Sequence, residues 1–147
     1  MAATIATPNA FELTFVTGLP VDDVVGARRA ITALQTTGPR VVLATSLALN
    51  DTPADALDMI AADGGEAWRL RTPRLPIAVN GAGDLIAALF FFHWLRGRST
   101  ADALAAAASS VYGVVAATLE AGARELRLVE AQDELVRPTT RFRPEAI

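Results

Sequence analysis

Gly81-Ala82-Gly83-Asp84, followed by Leu85-Ile86-Ala87-Ala88-Leu89-Phe90-Phe91-Phe92-His93-Trp94-Leu95, is the stretch on which the reading of this chain turns. From Ala82 to Leu95 the residues are apolar nearly all round, which predicts a helix buried inside a domain rather than lying on it. A Gly-x-Gly opening such a helix lets backbone N–H groups approach an anion closely, and the helix dipole adds positive potential. Phosphate is the natural tenant. A carboxylate at Asp84 does not itself bind phosphate; its useful role is to accept a proton from an attacking hydroxyl as charge builds on a phosphoryl group. Together these residues point to phosphoryl transfer to an alcohol. They do not form a P-loop, since no Gly-Lys-Ser/Thr follows, nor the Gly-x-Gly-x-x-Gly of dinucleotide binding. A plain strand-to-helix turn with Asp in the first helical turn gives the same four letters, so the neighbourhood has to decide.

Upstream, Thr4-Ile5-Ala6-Thr7 is a β-prone run stopped by Pro8-Asn9, a strand feeding a loop. Val24, Ala27, Ile31 and Leu34 recur at helical spacing behind Asp22 and Asp23, until Thr37-Gly38-Pro39 ends the pattern. The continuous apolar run Val41-Val42-Leu43-Ala44 predicts a parallel strand covered on both faces. It delivers Thr45 and Ser46 at its carboxyl end, where ligands gather in open α/β sheets. Leu57 to Ala62 and Ala67 to Arg71 flank Asp63-Gly64-Gly65 as a hairpin on the sheet margin. Thr72-Pro73-Arg74-Leu75-Pro76 reads as a loop because its two prolines leave few ladder hydrogen bonds. Downstream, Ser99 and Asp102 have capping-box spacing for a second, Ala-rich helix running to about Leu119 and closed by Gly122. Leu126, Leu128 and Val129 suggest a final strand or extended segment. No internal repeat, low-complexity linker or second boundary divides residues 1–147, and the alternation is that of an α/β protein.

Composition excludes several classes of function. A net charge of -3 and scattered arginines leave no basic footprint for nucleic acid. The absence of Cys removes disulfides and thiolate chemistry and fits a reducing compartment. Met1-Ala2-Ala3-Thr4 lacks the features of a secretory signal, and Leu85 to Leu95 is about half a membrane span, which gives the expectation of a cytoplasmic, soluble protein. His93 is read as a hydrogen-bonded core histidine, and Trp68 and Trp94 as packing.

Thr7-Pro8-Asn9-Ala10-Phe11-Glu12-Leu13, followed by Thr17-Gly18, resembles the Asn-x-x-Glu region of ribokinase-like kinases. The run from Leu128 to Val136, with Ala131-Gln132-Asp133 inside it, then Pro138 and Phe142, resembles the ending of the pyridoxal kinases in that superfamily, as does Ser110-Val111-Tyr112. From about Thr4 to the C-terminus the resemblance implies the C-terminal half of a three-layer αβα, Rossmann-like kinase fold, with a mostly parallel sheet and a marginal β-hairpin. It implies ATP-dependent phosphorylation of the 5′-hydroxymethyl group of pyridoxal, pyridoxine or pyridoxamine, giving pyridoxal 5′-phosphate in vitamin B6 salvage. All 13 basic residues are Arg, so no lysine forms a Schiff base with the aldehyde, and the vitamer is a substrate held noncovalently.

By the same resemblance Asp84 is the general base and touches the substrate, while Gly81, Ala82 and Gly83 form an anion hole for the transferring phosphoryl group. Thr7, Thr45, Ser46, Leu75, Pro76 and Ile77 are implied beside ATP. Asn9 and Glu12 are implied to organise Mg2+ through water, and a monovalent cation such as K+ accompanies the family. Thr45 stands where some bacterial members carry Lys, so magnesium must supply more of the neutralisation at the phosphates. Family members are roughly twice as long, and the part that precedes Thr4 in them carries the ring contacts and the lid. This predicts an unpaired sheet edge and apolar surface, covered by a homodimer partner or by an N-terminal half. The alternatives are a non-catalytic nucleotide-binding fragment, half of a split kinase, or a hydroxymethylpyrimidine kinase, the last disfavoured by the Ala131-Gln132-Asp133 ending.

Overall fold

The computed structural model describes residues 3–147, so the reading of Met1-Ala2 as the start of a leaderless chain lies outside the described residues. Two compact units emerge: Met1–Arg71 with Pro144–Ile147, and Thr72–Arg143.

The first unit is built on a sheet in the order β1-β2-β3-β4-β5, formed by β1 (Ile5–Ala6), β2 (Val41–Leu47), β3 (Ala56–Asp63), β4 (Glu66–Pro73) and β5 (Glu145–Ala146). β1 runs parallel to β2 with Ile5 opposite Val41, and the crossover between them carries α1 (Ala10–Thr17) and α2 (Val24–Gln35). β2 and β3 are antiparallel, Val41 facing Asp63, and so are β4 and β5, Trp68 facing Ala146. The sheet is therefore mixed rather than mostly parallel. The apolar run Val41–Ala44 is indeed fully buried, but burial on both faces does not encode strand direction. The two-residue connection Gly64-Gly65, with φ of 58° and 95°, supplies the left-handed pair of a tight hairpin and permits only an antiparallel return. Nor is the hairpin marginal: the C-terminal residues add β5 outside it, with Ile147 N–H donating to Ala67 O at 3.0 Å.

Helix α2 begins where the acidic pair predicts, since Asp23 Oδ1 accepts from Gly26 N–H at 2.7 Å and caps it. Its apolar stripe, Ala27, Ala30, Ile31 and Leu34, joins Leu13 of α1, Val42, Ala44 and Leu47 of β2, and Ile60 and Ala62 of β3 in one core. Helix α1 falls where the sequence predicts a loop. Pro8-Asn9 is a turn signal, and the helix after it shows no stripe, because Leu13 alone is buried while Phe11, Phe15 and Val16 are exposed.

The second unit is helical: α3 (Ala82–Leu95), α4 (Thr100–Glu120) and α5 (Gln132–Val136). The bounds of α3 match the sequence reading, but its burial does not: Ile86 and Phe90 are buried, whereas Phe91, Phe92 and Leu95 stay exposed. Periodicity without a polar face predicts a partner on every side and says nothing about whether this chain supplies it. Helix α4 starts at the predicted cap and ends one residue past the predicted Leu119, with Gly122 left-handed at φ 60°. It is long and apolar enough to cross a membrane by length and composition, yet ten of its residues are buried within the fold, as in a core helix. Glu134 of α5 packs directly over Gly113, where a Cβ would lie 2.0 Å from its Oε2 and force that side chain to move. Where a final strand or extended segment is expected around Leu126 to Val129, the chain makes a lone parallel bridge from Glu125 to Asn80 and then a turn from Leu128 that leads into α5. Thr72 and Pro73, expected in a loop, end β4; the last position of a strand tolerates a residue without an N–H.

Candidate active site

In the second unit the chain enters α3 through Gly81 at φ 88°, a left-handed conformation that L side chains rarely adopt. Leu85 N–H closes the first helical bond to Gly81 O at 2.9 Å. No side chain caps this end, and the first N–H groups of a helix have no partner within it. They face open ground, for a Cβ on Gly83 would meet nothing within 4 Å and one on Gly81 only Leu126 Cδ1 at 3.6 Å. Asp84 lies in this first turn, exposed, and makes no hydrogen bond or ion pair among the described residues. The corner thus combines positive helix-end potential, glycine-lined access and a free carboxylate, the requirements for holding an oxyanion beside a proton acceptor. In the same unit Ile77 N–H donates to Leu75 O at 2.8 Å, folding Leu75-Pro76-Ile77 into a tight turn.

The first unit gathers a second set. Thr7 follows β1, and Thr45 N–H donates to Pro8 O at 3.0 Å, which sets Asn9 beside Thr45 in a parallel bridge. Both stand at carboxyl ends of parallel strands, where the sequence reading places them. Ser46 next to them is exposed and has φ 54°. That is costly for a residue with a Cβ, and it coincides with the register shift between Ala44 and Leu47 against β3. Bulges that re-aim one side chain are frequent beside sites.

Asn9 and Glu12 have a structural task of their own. Glu12 N–H donates to Asn9 Oδ1 at 2.9 Å and Asn9 N–H donates to Glu12 Oε2 at 2.9 Å, a reciprocal capping box that starts α1. Each retains free acceptor capacity, Glu12 through its second carboxylate oxygen. Among the described residues no three His, Cys, Asp or Glu side chains converge as a metal cage. The pair suits a hydrated Mg2+ held through water and phosphate oxygens, the usual habit of that ion.

One cluster escaped the sequence reading. Asp58 on β3 is fully buried and accepts from Arg71 Nε at 2.8 Å, from Arg71 Nη2 at 2.9 Å, from Arg69 Nη2 and from Thr52 Oγ1. Burial alone would raise its pKa, but the bonds from Arg71, Arg69 and Thr52 outweigh it and hold the carboxyl at about 2. Arg69 also pairs with Asp51 at 2.7 and 2.8 Å. The signal was present in the sequence: an acid within an apolar strand, with two arginines spaced two apart on the facing strand. His93 also differs from expectation. Its Nε2 is buried but finds no hydrogen-bond partner among the described residues. Burial, with the charge of Arg98 added, pushes its pKa below the ordinary histidine range.

Comparison with known proteins places this geometry in context. The family described as phosphomethylpyrimidine kinase matches residues 1–128. A pyridoxal kinase of Corynebacterium diphtheriae is 46% identical over 145 residues, covering 99% of this chain and 51% of that protein. The structure of a pyridoxal kinase from Leishmania donovani in complex with ADP and pyridoxine is similar at a TM-score of 0.85 and 26% identity, covering 99% of this chain and 52% of its own. A putative phosphomethylpyrimidine kinase from Bacteroides thetaiotaomicron shares the fold at a TM-score of 0.87 and 24% identity, covering 99% of this chain and 52% of that one. The ribokinase-like α/β architecture expected from the sequence is thereby borne out, and the chain spans about half the length of the relatives it matches.

Proposed function

Because this chain belongs to the phosphomethylpyrimidine kinase family, we propose that it forms the nucleotide-binding, catalytic half of a cytoplasmic kinase that transfers the γ-phosphoryl group of ATP to the 5′-hydroxymethyl group of pyridoxal, pyridoxine or pyridoxamine. The observation that carries this reading is the uncapped, left-handed entry to α3 with the unpartnered Asp84 in its first turn. Asp84 accepts the hydroxyl proton as the substrate oxygen attacks phosphorus and ADP departs. The N–H groups following Gly81, at Ala82 and Gly83, meet the charge that builds on the transferring group. Thr7, Thr45 and Ser46 line the phosphate side, and Leu75, Pro76 and Ile77 the adenine and ribose. Asn9 and Glu12 would hold the waters of a bound Mg2+, which would supply neutralisation of the phosphates, and a monovalent cation such as K+ would accompany it. Support for the vitamer over other alcohols comes from the 46% identical pyridoxal kinase.

Full activity calls for a second body, a homodimer partner or the N-terminal half that longer relatives carry. The outer edge of β1 and the exposed Phe11, Phe15 and Val16 on α1 support this. Light scattering on the purified chain should give an oligomer; a monodisperse monomer counts against association with itself.

A second reading, kinase action on hydroxymethylpyrimidine, is favoured by the description of the matching family. Phosphate transfer from radiolabelled ATP, with pyridoxal and hydroxymethylpyrimidine compared at equal concentration, decides between them. Labelled pyridoxal phosphate is expected. Label on the pyrimidine alone installs the second reading, and Mg-ATP binding without transfer to either leaves a nucleotide-binding module.

A further inference from the structure

The end of α3 opposite Gly81 borders a cavity of about 260 Å³ within the second unit, which the kinase chemistry above leaves unused. His93 lies nine positions after Asp84 in α3, roughly 14 Å along the axis at the ordinary helical rise. The cavity is walled by the end of α3, the first half of α4, and α5 with the tail behind it. That tail is held in place: Phe142 N–H donates to Ser109 Oγ at 3.0 Å, and the Phe142 ring meets Tyr112 edge to face at 5.0 Å.

The lining is mixed in a specific way. Alanines of α4, Leu135 and Phe142 give apolar walls, while two arginines, Arg98 and Arg141, complete the lining. Neither arginine has an ion-pair partner among the described residues; the ion pairs of this unit involve only Arg127 and Glu130. The one acid of the lining, Asp102, is engaged at the start of α4, where its Oδ2 accepts from Ser99 Oγ at 2.7 Å. His93 adds a buried Nε2 without a partner among the described residues. Buried polar atoms are rarely left unmatched, and unpaired arginine forks suit carboxylate or phosphate oxygens. The volume falls just below the usual range for metabolite pockets, too small for a nucleotide and adequate for a one-ring molecule or a phosphate.

We propose that this cavity is a second ligand site, for a small anion whose carboxylate or phosphate oxygens are held by Arg98 and Arg141 beside His93, with any apolar remainder against Leu135 and Phe142. It stands apart from the kinase reading and does not depend on Asp84.

His93 is the sole histidine of the chain, so its imidazole resonances report on the cavity without ambiguity. The intact chain is titrated with benzoate, with inorganic phosphate and with neutral benzyl alcohol, in the absence and presence of saturating Mg-ATP. A saturable shift of the His93 signals is expected with benzoate or with phosphate, and whichever acts identifies the headgroup. Benzyl alcohol should be silent, Mg-ATP should not displace the anion, and Arg98→Ala and Arg141→Ala should each weaken binding about tenfold or more. Both arginines are exposed, and thermal melting confirms that each variant is folded. The proposal is overturned if neither anion moves His93, if benzyl alcohol acts as well as benzoate, if both variants bind normally, or if Mg-ATP displaces the anion.

Discussion

Helices α3 and α4 are consecutive, antipodal in chemistry and begin in opposite ways. At α4, Ser99 Oγ accepts from Asp102 N–H at 3.1 Å and donates to Asp102 Oδ2 at 2.7 Å, so serine and acid close the end on themselves. At α3 the equivalent place is Gly81, with no side chain to cap, and the acid three residues on, Asp84, makes no bond among the described residues. α1 resembles α4, with Asn9 and Glu12 locked together. The same positional grammar, cap then acid, is thus closed on itself at α1 and α4 and left open at α3. A helix that gives up about 1 kcal/mol of capping and accepts a left-handed glycine has first N–H groups that no side chain caps, as the proposed phosphate site requires.

The largest effect should come from the free acid itself. Asp84→Asn keeps the size and the helix start but removes the proton acceptor, so kcat for phosphate transfer should fall by about 10²–10⁴ while the affinity for Mg-ATP holds. A variant of near-normal turnover removes Asp84 from its role. Asp58 supplies the opposite pole, a carboxylate with every oxygen engaged. Asp58→Asn leaves Arg69 and Arg71 without their buried partner and should cost roughly 3–5 kcal/mol in denaturant unfolding. Asp58 also sets an acid limit. Its folded pKa of about 2 lies below the ordinary 3.8, so its contribution is complete above the latter and is lost as pH falls through the former. On the order of 2 kcal/mol should vanish over that window, and an acid titration of stability that stays flat there contradicts the assigned network.

Caps give the next effect down. Ser99→Ala and Asn9→Ala should each lower stability by about 1 kcal/mol. Only Asn9→Ala should also raise the KM for Mg-ATP, which separates a cap that serves the site from one that serves the fold. The smallest effect tests Gly83. Its backbone is ordinary and a Cβ there meets nothing within 4 Å, so Gly83→Ala should leave stability unchanged or raise it by up to ~1 kcal/mol. Under the proposed role turnover should nevertheless fall, because the added methyl would stand where the phosphate approaches. A melting temperature that drops, or a rate that does not, takes away the reason for a glycine at this position.

Much of this was legible beforehand. Helix α3 was bounded to the residue because a glycine turn and an acid precede an unbroken apolar run, and α2 and α4 because Asp23 and Ser99 announce them. The hairpin followed from Gly64-Gly65. Strand direction was not legible, since Val41–Ala44 looks the same from the sequence whether its neighbour runs with it or against it. Helix α1 was missed because its Phe11, Phe15 and Val16 point outward, which erases the stripe that periodicity needs. Strand β5 and helix α5 are two and five residues long, too short for any period to register. Of the site residues, the pairing of Asn9 with Thr45 follows from two parallel strand ends and could be anticipated. The strain at Ser46 could not, because it arises from a bulge against β3 that depends on the partner strand as much as on its own sequence.

The central claim is that α3 is left open at its N-terminus to receive phosphate, and amide NMR of the intact chain tests it most directly. On titration with Mg-ATP the N–H signals of Ala82, Gly83 and Asp84 should shift saturably, while those of Ala101 and Asp102, at the closed start of α4, stay in place. Signals at Ala82 to Asp84 that remain fixed while ATP binds elsewhere on the chain would contradict it.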